Sequence, residues 1–386
     1  MRAALAEISL SAVRHNLALV QAKAPESRVL AIVKADGYGH GLEAVAQTLV
    51  RAPRPVDAFG VASIDDAVRL RASGIIERIV LLSGFDEISD LIAIQELALD
   101  CVIHHESQIS MLERASRMAG AKPIRIWLKL DSGMRRLGFF SDEFAPALQR
   151  LRALALVDAE ITLMSHFAHA DAVGHKASGA EQAASLHTEA QINTFDQVIA
   201  VAAPSAFPGD PIPPQSLANS GAILSVPLSH RQWIRPGGVL YGLSTHDQLT
   251  GAELGFQPAM RLSTRLVSVK SIQTGDAVGY GGGFVAPCPM RIGIAAIGYG
   301  DGYPRHAATG TPVRVAGHLT RIIGRVSMDL LSVDLSNLPN IDVGAEVVLW
   351  GAELPVEIIA RAAETISYEL TCGVTKRVRF SYSGAV

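Results

Sequence analysis

Cysteine is nearly absent from this chain: Cys101, Cys288 and Cys372 are the only three in 386 residues, too few and too scattered for a disulfide framework or a CxxC zinc site. They are read as buried thiols. An excess of charge of one sign is missing as well. With 34 basic and 37 acidic side chains and a formal net charge of −3, the chain offers no basic stripe for nucleic acid and no polybasic patch for a membrane surface. No segment reaches the roughly 18 apolar residues of a membrane span, and Glu7 arrives before Met1-Arg2-Ala3-Ala4-Leu5-Ala6 can become a secretion-type apolar region. The expected partner is a small molecule and the expected location cytoplasmic. Internal repeats, low-complexity tracts, a helix-opening GxGxxG and an HExxH are also lacking, which leaves dinucleotide binding and zinc-protease chemistry without a motif.

What is present is a core. Hydrophobic residues make up 49% of the chain, enough for two domains or one large domain with an appendage. Short apolar runs recur at 28–33, 58–62, 78–82, 99–103, 124–130, 159–165, 215–219 and 237–241, with helical periodicity between them at 42–50, 64–73, 105–118, 142–153 and 180–202. Eight such units predict an α/β fold over residues 1–244, a (β/α)8 TIM-type barrel rather than an open doubly wound sheet. Beyond residue 245 the pattern changes to short alternating segments at 261–270, 291–297, 311–317, 320–323, 331–334 and 344–350, predicting a mainly β C-terminal domain over 245–386. The proline-rich segment 203–214 reads as a surface loop.

The stretch of greatest chemical interest is Ala31-Ile32-Val33-Lys34-Ala35-Asp36-Gly37-Tyr38-Gly39-His40-Gly41. A strand delivers a lysine into a glycine-punctuated turn, where desolvation lowers the amine pKa and makes it a nucleophile toward an aldehyde. The glycines free the backbone to expose N–H groups to an anion, and Tyr38 adds a hydroxyl. A phosphate-bearing aldehyde suits both halves; an ordinary strand end with a snorkelling lysine is the competing reading. In a (β/α)8 barrel the active site lies at the C-terminal strand ends. Those ends carry Lys129 followed by Asp131-Ser132-Gly133-Met134-Arg135-Arg136-Leu137-Gly138, then Ser165-His166-Phe167-Ala168-His169, then Asn219-Ser220-Gly221, and finally Arg235-Pro236-Gly237-Gly238. Lysine, arginine, histidine and serine converge on one mouth. The His166-x-x-His169 pair invites a metal reading, which the absence of HExxH disfavours.

The run around Lys34 resembles the cofactor-lysine signature of the alanine racemases, and the other motifs follow in family order from Glu7-Ile8-Ser9-Leu10 to Ser367-Tyr368-Glu369-Leu370. The resemblance implies that Lys34 carries pyridoxal 5'-phosphate as an internal aldimine. It places Arg235 against the pyridine nitrogen, where a permanent cation keeps the ring a weak electron sink and favours racemisation over transamination or decarboxylation. It assigns Arg136 to the cofactor phenolic oxygen and the substrate carboxylate, and Lys129 to holding Arg136, often as a carbamate. Tyr38, Ser220, Gly237, Gly238 and Tyr368 would hold the phosphate, Asn219 would be a further cofactor-binding residue, and His166 would link Arg235 to a catalytic tyrosine. That tyrosine is Tyr280, in Ala277-Val278-Gly279-Tyr280-Gly281-Gly282-Gly283-Phe284, reaching the site from a second subunit. Tyr299 matches the gate at the substrate entrance, Met328 a backbone contact to the substrate carboxylate, and Asp329 a support for the tyrosine network. The triple glycine after Tyr280 is the one local departure from the pattern.

The resemblance therefore implies a homodimer with shared active sites that interconverts L- and D-alanine, Lys34 serving one face of Cα and Tyr280 the other. Such an enzyme either supplies D-alanine for peptidoglycan or consumes it. Three alternatives stay open. A decarboxylase on the same plan would place a cysteine where Tyr280 stands, a non-catalytic pyridoxal phosphate carrier would lack the second domain, and a broad-specificity racemase would carry a secretion signal.

Overall fold

Strands buried on both faces read as continuous apolar runs, whereas strands with one wet face alternate, and the two halves of this chain divide on that difference. A computed structural model describes residues 3–117, 122–172, 179–246 and 248–384. After β1 (Leu5–Ser9) come β2 (Arg28–Ile32), β3 (Ala58–Val61), β4 (Arg78–Leu81), β5 (Leu99–Ile103), β6 (Ile124–Lys129), β7 (Val157–Met164), β8 (Gln215–Ser216) and β9 (Trp233–Ile234). Strands β2 to β9 close into a parallel barrel, and β3 and β5 are buried at every position. The barrel interior is filled by Leu30, Ile32, Ala58, Val80, Val102, Trp127, Met164 and Trp233. Its lower end is plugged by charge. Buried Asp100 accepts from Arg78 Nε (3.0 Å), Arg125 Nε (2.9 Å) and Trp127 Nε1 (3.0 Å), and the Arg28 guanidinium lies 4.2 Å from the Trp233 ring centre.

The expected helices form at Leu42–Val50, Ile64–Ala72, Glu106–Ala115, Ser141–Arg152 and Gly179–Ala206; Met118, the expected end of the third, lies outside the described residues. Two expectations are corrected here. The eighth barrel strand is Trp233–Ile234, paired with Arg28 and Val29, not 237–241, where Gly238–Tyr241 is a 3-10 turn. Pro236 has no N–H to continue a ladder, and the chain turns across the barrel mouth instead. Nor is 203–214 wholly a loop, because the last helix runs through Pro204 to Ala206. Ile199, Ala202, Ala203, Ala206 and Phe207 continue its buried face, and that burial offsets one backbone bond lost near the helix end.

The second half contains β10 (Met260–Ile272), β11 (Ala277–Val278), β12 (Phe284–Val285), β13 (Met290–Ala295), β14 (Pro312–Val315), β15 (His318–Ile323), β16 (Leu331–Asp334), β17 (Glu346–Trp350) and β18 (Arg379–Ser383). β14 and β16 show the half-buried alternation. The sheet runs β13-β16-β15-β14-β17-β10-β1-β18, and an added β10–β13 pairing closes six of these strands on themselves. β1, at the start of the chain, pairs antiparallel with β10 and parallel with β18, so the first strand joins this sheet rather than the barrel. Among the described residues no helix is long and apolar enough to cross a membrane.

Candidate active site

Lys34 follows β2 with only Val33 between, and the chain then winds left-handed. Ala35, Asp36, Gly37 and Tyr38 have φ values of 54°, 55°, 63° and 53°, and the three that are not glycine each cost about 1–2 kcal/mol in that region. The turn is held from within: Gly37 N–H donates to Val33 O (2.8 Å), His40 N–H to Gly37 O (3.0 Å) and Gly41 N–H to Asp36 O (2.9 Å). The amides of Gly37 and Gly41 are therefore spent inside the turn rather than offered to an anion. Asp36 Oδ1 accepts from Arg69 Nη2 (2.6 Å) and from Leu42 N (3.2 Å), starting the next helix. Glycine is required at 39, where a Cβ would stand 2.1 Å from Thr371 O. The short helix Ser367–Cys372 thereby docks against the lysine turn. Lys34 is exposed as a residue, but partial desolvation of its amine lowers its pKa, the Arg136 charge lowers it further, and Cys372 opposes both.

Beyond the lysine turn two tyrosines pack over two glycines. Gly237 N–H donates to Ser220 Oγ (2.8 Å), which leaves the Ser220 proton free to donate elsewhere. A Cβ on Gly237 would sit 2.6 Å from Tyr38 Oη, and one on Gly238 would sit 2.0 Å from Tyr368 Cε1 and 2.8 Å from its Oη. The two tyrosine rings meet edge-on at 5.8 Å. Among the described residues neither hydroxyl has a hydrogen-bond partner, and burial raises both pKa values, that of Tyr38 to about 12, so both remain donors. Asn219 is placed differently from its neighbours. Its Oδ1 accepts from Ala222 N (3.0 Å) and caps the helix Ser220–Ser225, so this atom positions Ser220.

The rest of the mouth is cationic. Arg235, 4% exposed, donates through Nη1 to Ser216 Oγ (2.6 Å) and through Nη2 to Ser165 O (2.6 Å), Leu217 O (3.1 Å) and His166 Nδ1 (3.2 Å). No carboxylate pairs with it among the described residues, and burial pulls its pKa down to about 10. His166 is pushed well below its ordinary value by burial and then by Arg235, Lys129, Arg136 and Lys34. A neutral ring accepting at Nδ1 carries its proton on Nε2. Lys129, 8% exposed, is brought down to about 8 by burial and the Arg235 and Arg136 charges, with Asp131 opposing. Asp131 itself is turned to its loop, its Oδ1 accepting from Gly133 N (2.9 Å) and Arg135 N (3.1 Å). Of the adjacent arginines, Arg135 lies over the Phe140 ring at 5.3 Å, whereas the charge of Arg136 acts on Lys34, Lys129 and His166. Buried cations without acid partners are costly. Together with the two glycine approaches, they fit an anionic group carrying a phosphate and an aldehyde.

The C-terminal candidates stand apart. Tyr280 is 71% exposed on a loop that wraps Arg325, whose Nη1 lies 3.3 Å from a Cβ built on Gly281. Tyr299 and Met328 are also exposed. No hydrogen bond joins Tyr280, Tyr299 or Met328 to Lys34, Arg136 or Arg235 among the described residues. Asp329 pairs with Arg377, which also reaches buried Asp301 at 3.4 Å. His169 is exposed, its ring set edge-on against His187 at 4.7 Å. Cys288 and Cys372 are exposed too, so only Cys101 is the buried thiol expected of all three. Residues missed from the sequence are Tyr241, which stacks on Tyr38 at 5.1 Å, and Gln191, which donates to His166 O (3.0 Å) and accepts from Ala168 N (3.0 Å). Tyr241 was hidden inside an apolar run, and Gln191 inside a long helix.

Comparisons with known proteins agree over the whole chain. The family described as "Alanine racemase, N-terminal domain" matches residues 8–245, and "Alanine racemase, C-terminal domain" matches residues 259–382. The chain is 46% identical over 372 residues to a Nitrosospira multiformis protein named alanine racemase, covering 96% of this chain and 97% of the relative. Its fold is similar to the biosynthetic alanine racemase of Pseudomonas aeruginosa, with a TM-score of 0.90, 42% identity and full coverage of both chains. The Bartonella henselae alanine racemase with covalently bound pyridoxal phosphate matches with a TM-score of 0.84 and 25% identity, over 99% of this chain and all of that one.

Proposed function

The chain belongs to the alanine racemase family of pyridoxal-phosphate-dependent isomerases, and from that premise we propose that it interconverts L- and D-alanine in a homodimer, using Lys34 and Tyr280 as opposed bases. The observation that carries this reading is the cation-lined mouth closed by two tyrosines over two glycines. Bound there, pyridoxal phosphate supplies the electron-withdrawing system that makes an amino-acid Cα–H acidic.

The chain's own residues do the rest. Tyr38, Tyr368, Ser220 and the Gly238 amide hold the phosphate by neutral donors. Arg235, pinned by Ser216, Ser165 and Leu217, presents a fixed positive charge to the ring nitrogen. Lys34 Nζ, already depressed by partial desolvation and Arg136, takes or returns a proton on one face of Cα once free of the cofactor. Arg136 receives the substrate carboxylate, with the backbone near Met328. Lys129, with a depressed pKa, is a competent amine for carbamylation, and a carbamate there supplies the anion that Arg136 and Arg235 lack. His166 passes the Arg235 charge from its Nδ1 acceptor side to an Nε2–H that meets Tyr280 Oη. Tyr299 narrows the entrance to small amino acids, and Asp329 with Arg377 holds the segment carrying Met328. The exposure of Tyr280 on its own subunit supports its delivery to a neighbour's Lys34. The domain division that fits this reading is a cofactor-holding barrel up to 244 and a β domain from 245 that carries the tyrosine. We place the enzyme in the cytoplasm, where alanine and its D-isomer are exchanged for wall synthesis or catabolism.

Incubation with L-alanine, L-serine, L-lysine and L-arginine in deuterated water tests the assignment. Loss of optical activity with Cα deuterium in the alanine sample is expected. Deuterium incorporation without inversion would sink the two-base reading, and release of carbon dioxide would favour a decarboxylase.

A further inference from the structure

The turn after Lys34 is left-handed over four residues, and two side chains with no role in the proposed chemistry grip it. His40, fully buried, directs Nδ1 at the carbonyls of Tyr38 (2.9 Å) and Gly37 (3.1 Å). A ring nitrogen facing two carbonyl oxygens carries the proton and donates to both. Tyr241, also fully buried, donates from Oη to Ile32 O (3.1 Å), the last residue of β2. Its ring stacks on Tyr38 at 5.1 Å and on His40 at 4.6 Å. A Cβ on Gly37 would lie 3.6 Å from the Tyr241 hydroxyl, so that hydroxyl sits under the middle of the turn. One ring thus touches the strand end that delivers Lys34, the floor of the turn and the tyrosine that reaches Gly237. Asp36 tolerates left-handed backbone and is held by Leu42 N and Arg69, but Ala35 and Tyr38 have no such local preference, and at Tyr38 these contacts oppose the cost.

We propose that His40 and Tyr241 are positioning residues that lock the left-handed turn so that the Tyr38 hydroxyl stands at the Gly237 edge of the phosphate cradle. The proposal rests on the reading that pyridoxal phosphate binds here. The clamp serves the phosphate arm, because His40 bonds the carbonyl of Tyr38 itself and the Tyr241 hydroxyl, fixed on Ile32 O, anchors the ring on which Tyr38 stacks.

The test compares pyridoxal 5'-phosphate with pyridoxal, which lacks the phosphate, by absorbance titration of the cofactor-free protein. Two variants are titrated, Tyr241→Phe, which keeps the stack and loses the hydroxyl, and His40→Leu, which loses the donor. The Kd for pyridoxal phosphate is expected to rise about tenfold in each, while that for pyridoxal moves by less than about threefold. An equal loss for both ligands would overturn the proposal, as would an unchanged Kd accompanied only by a lower melting temperature. If His40→Leu does not fold, Tyr241→Phe decides alone. A wild-type protein with no preference for the phosphorylated ligand would refute the underlying cradle reading, and the clamp with it.

Discussion

Gly238→Ala is a steric test of the phosphate cradle that leaves the backbone unstrained, since this glycine has no positive φ. The new Cβ would stand 2.0 Å from Tyr368 Cε1, whereas ordinary carbon contacts begin near about 3.5 Å. Either the Tyr368 ring retreats by roughly 1.5 Å or the 3-10 turn lifts by as much. The ring is hemmed in by Tyr38, 5.8 Å away between centres, and by the lysine turn that its helix packs against through Thr371. A displacement of that size removes its hydroxyl from hydrogen-bond range of anything seated at Gly238. A hydrogen bond to a charged group is worth about 1.5–3 kcal/mol, so the Kd for pyridoxal phosphate should rise roughly 10- to 100-fold. Absorbance titration of the cofactor-free variant measures it, with circular dichroism to confirm folding. A folded variant whose Kd stays within about twofold of wild type would refute the placement of the phosphate.

Other perturbations probe separate parts of the account. Asp100→Ala strands Arg78 and Arg125 at the lower end of the barrel and should cost about 3–5 kcal/mol in denaturant unfolding; a loss below about 1 kcal/mol would show that the two arginines are solvated without it. Lys129 titrates near 8 in the folded chain against an ordinary 10.5. Between those values the unfolded chain binds more protons, so the stability of the cofactor-free protein should gain as pH rises from 8 toward 10.5. Lys129→Met should flatten that gain, and an unchanged slope of melting temperature against pH would contradict the assignment. Labelling with 13C-bicarbonate should place a carbamate carbon on wild type that Lys129→Met lacks; the same signal in both would move the carbamate elsewhere.

Much of this architecture was legible because the barrel strands have no wet face. Leu99–Ile103 is buried at every position and Ile124–Lys129 at all but Arg125, so apolar residues dominate both runs, and their ends locate the mouth. Legibility failed where length and pattern were missing. β8 and β9 are two residues each, too short for any periodicity, so the apolar run 237–241 mimics the eighth strand although Gly238–Tyr241 is a 3-10 turn. β1 is not among the expected strands, because a five-residue run at the start of the chain carries no sign of the sheet it joins. Lys34, Lys129, Arg136, Arg235 and His166 were found by their place at strand ends, and the structure brings them within range of one another's charge. Tyr241 and His40 were not singled out, since an aromatic ring in an apolar run gives no sign of the turn it supports. The left-handed turn itself had only its glycines to announce it, and three of its four positive-φ residues are not glycine.

The central claim is that Lys34 and Tyr280 from different subunits make one site, and co-expression of Lys34→Ala with Tyr280→Phe tests it. Each variant alone has two defective sites per dimer. In a mixed dimer, one site pairs an intact Lys34 with an intact Tyr280, and random pairing makes half the dimers mixed. About a quarter of wild-type racemisation is expected from the mixture. No recovery above the single variants, in a preparation shown by differential tagging to contain mixed dimers, would contradict it.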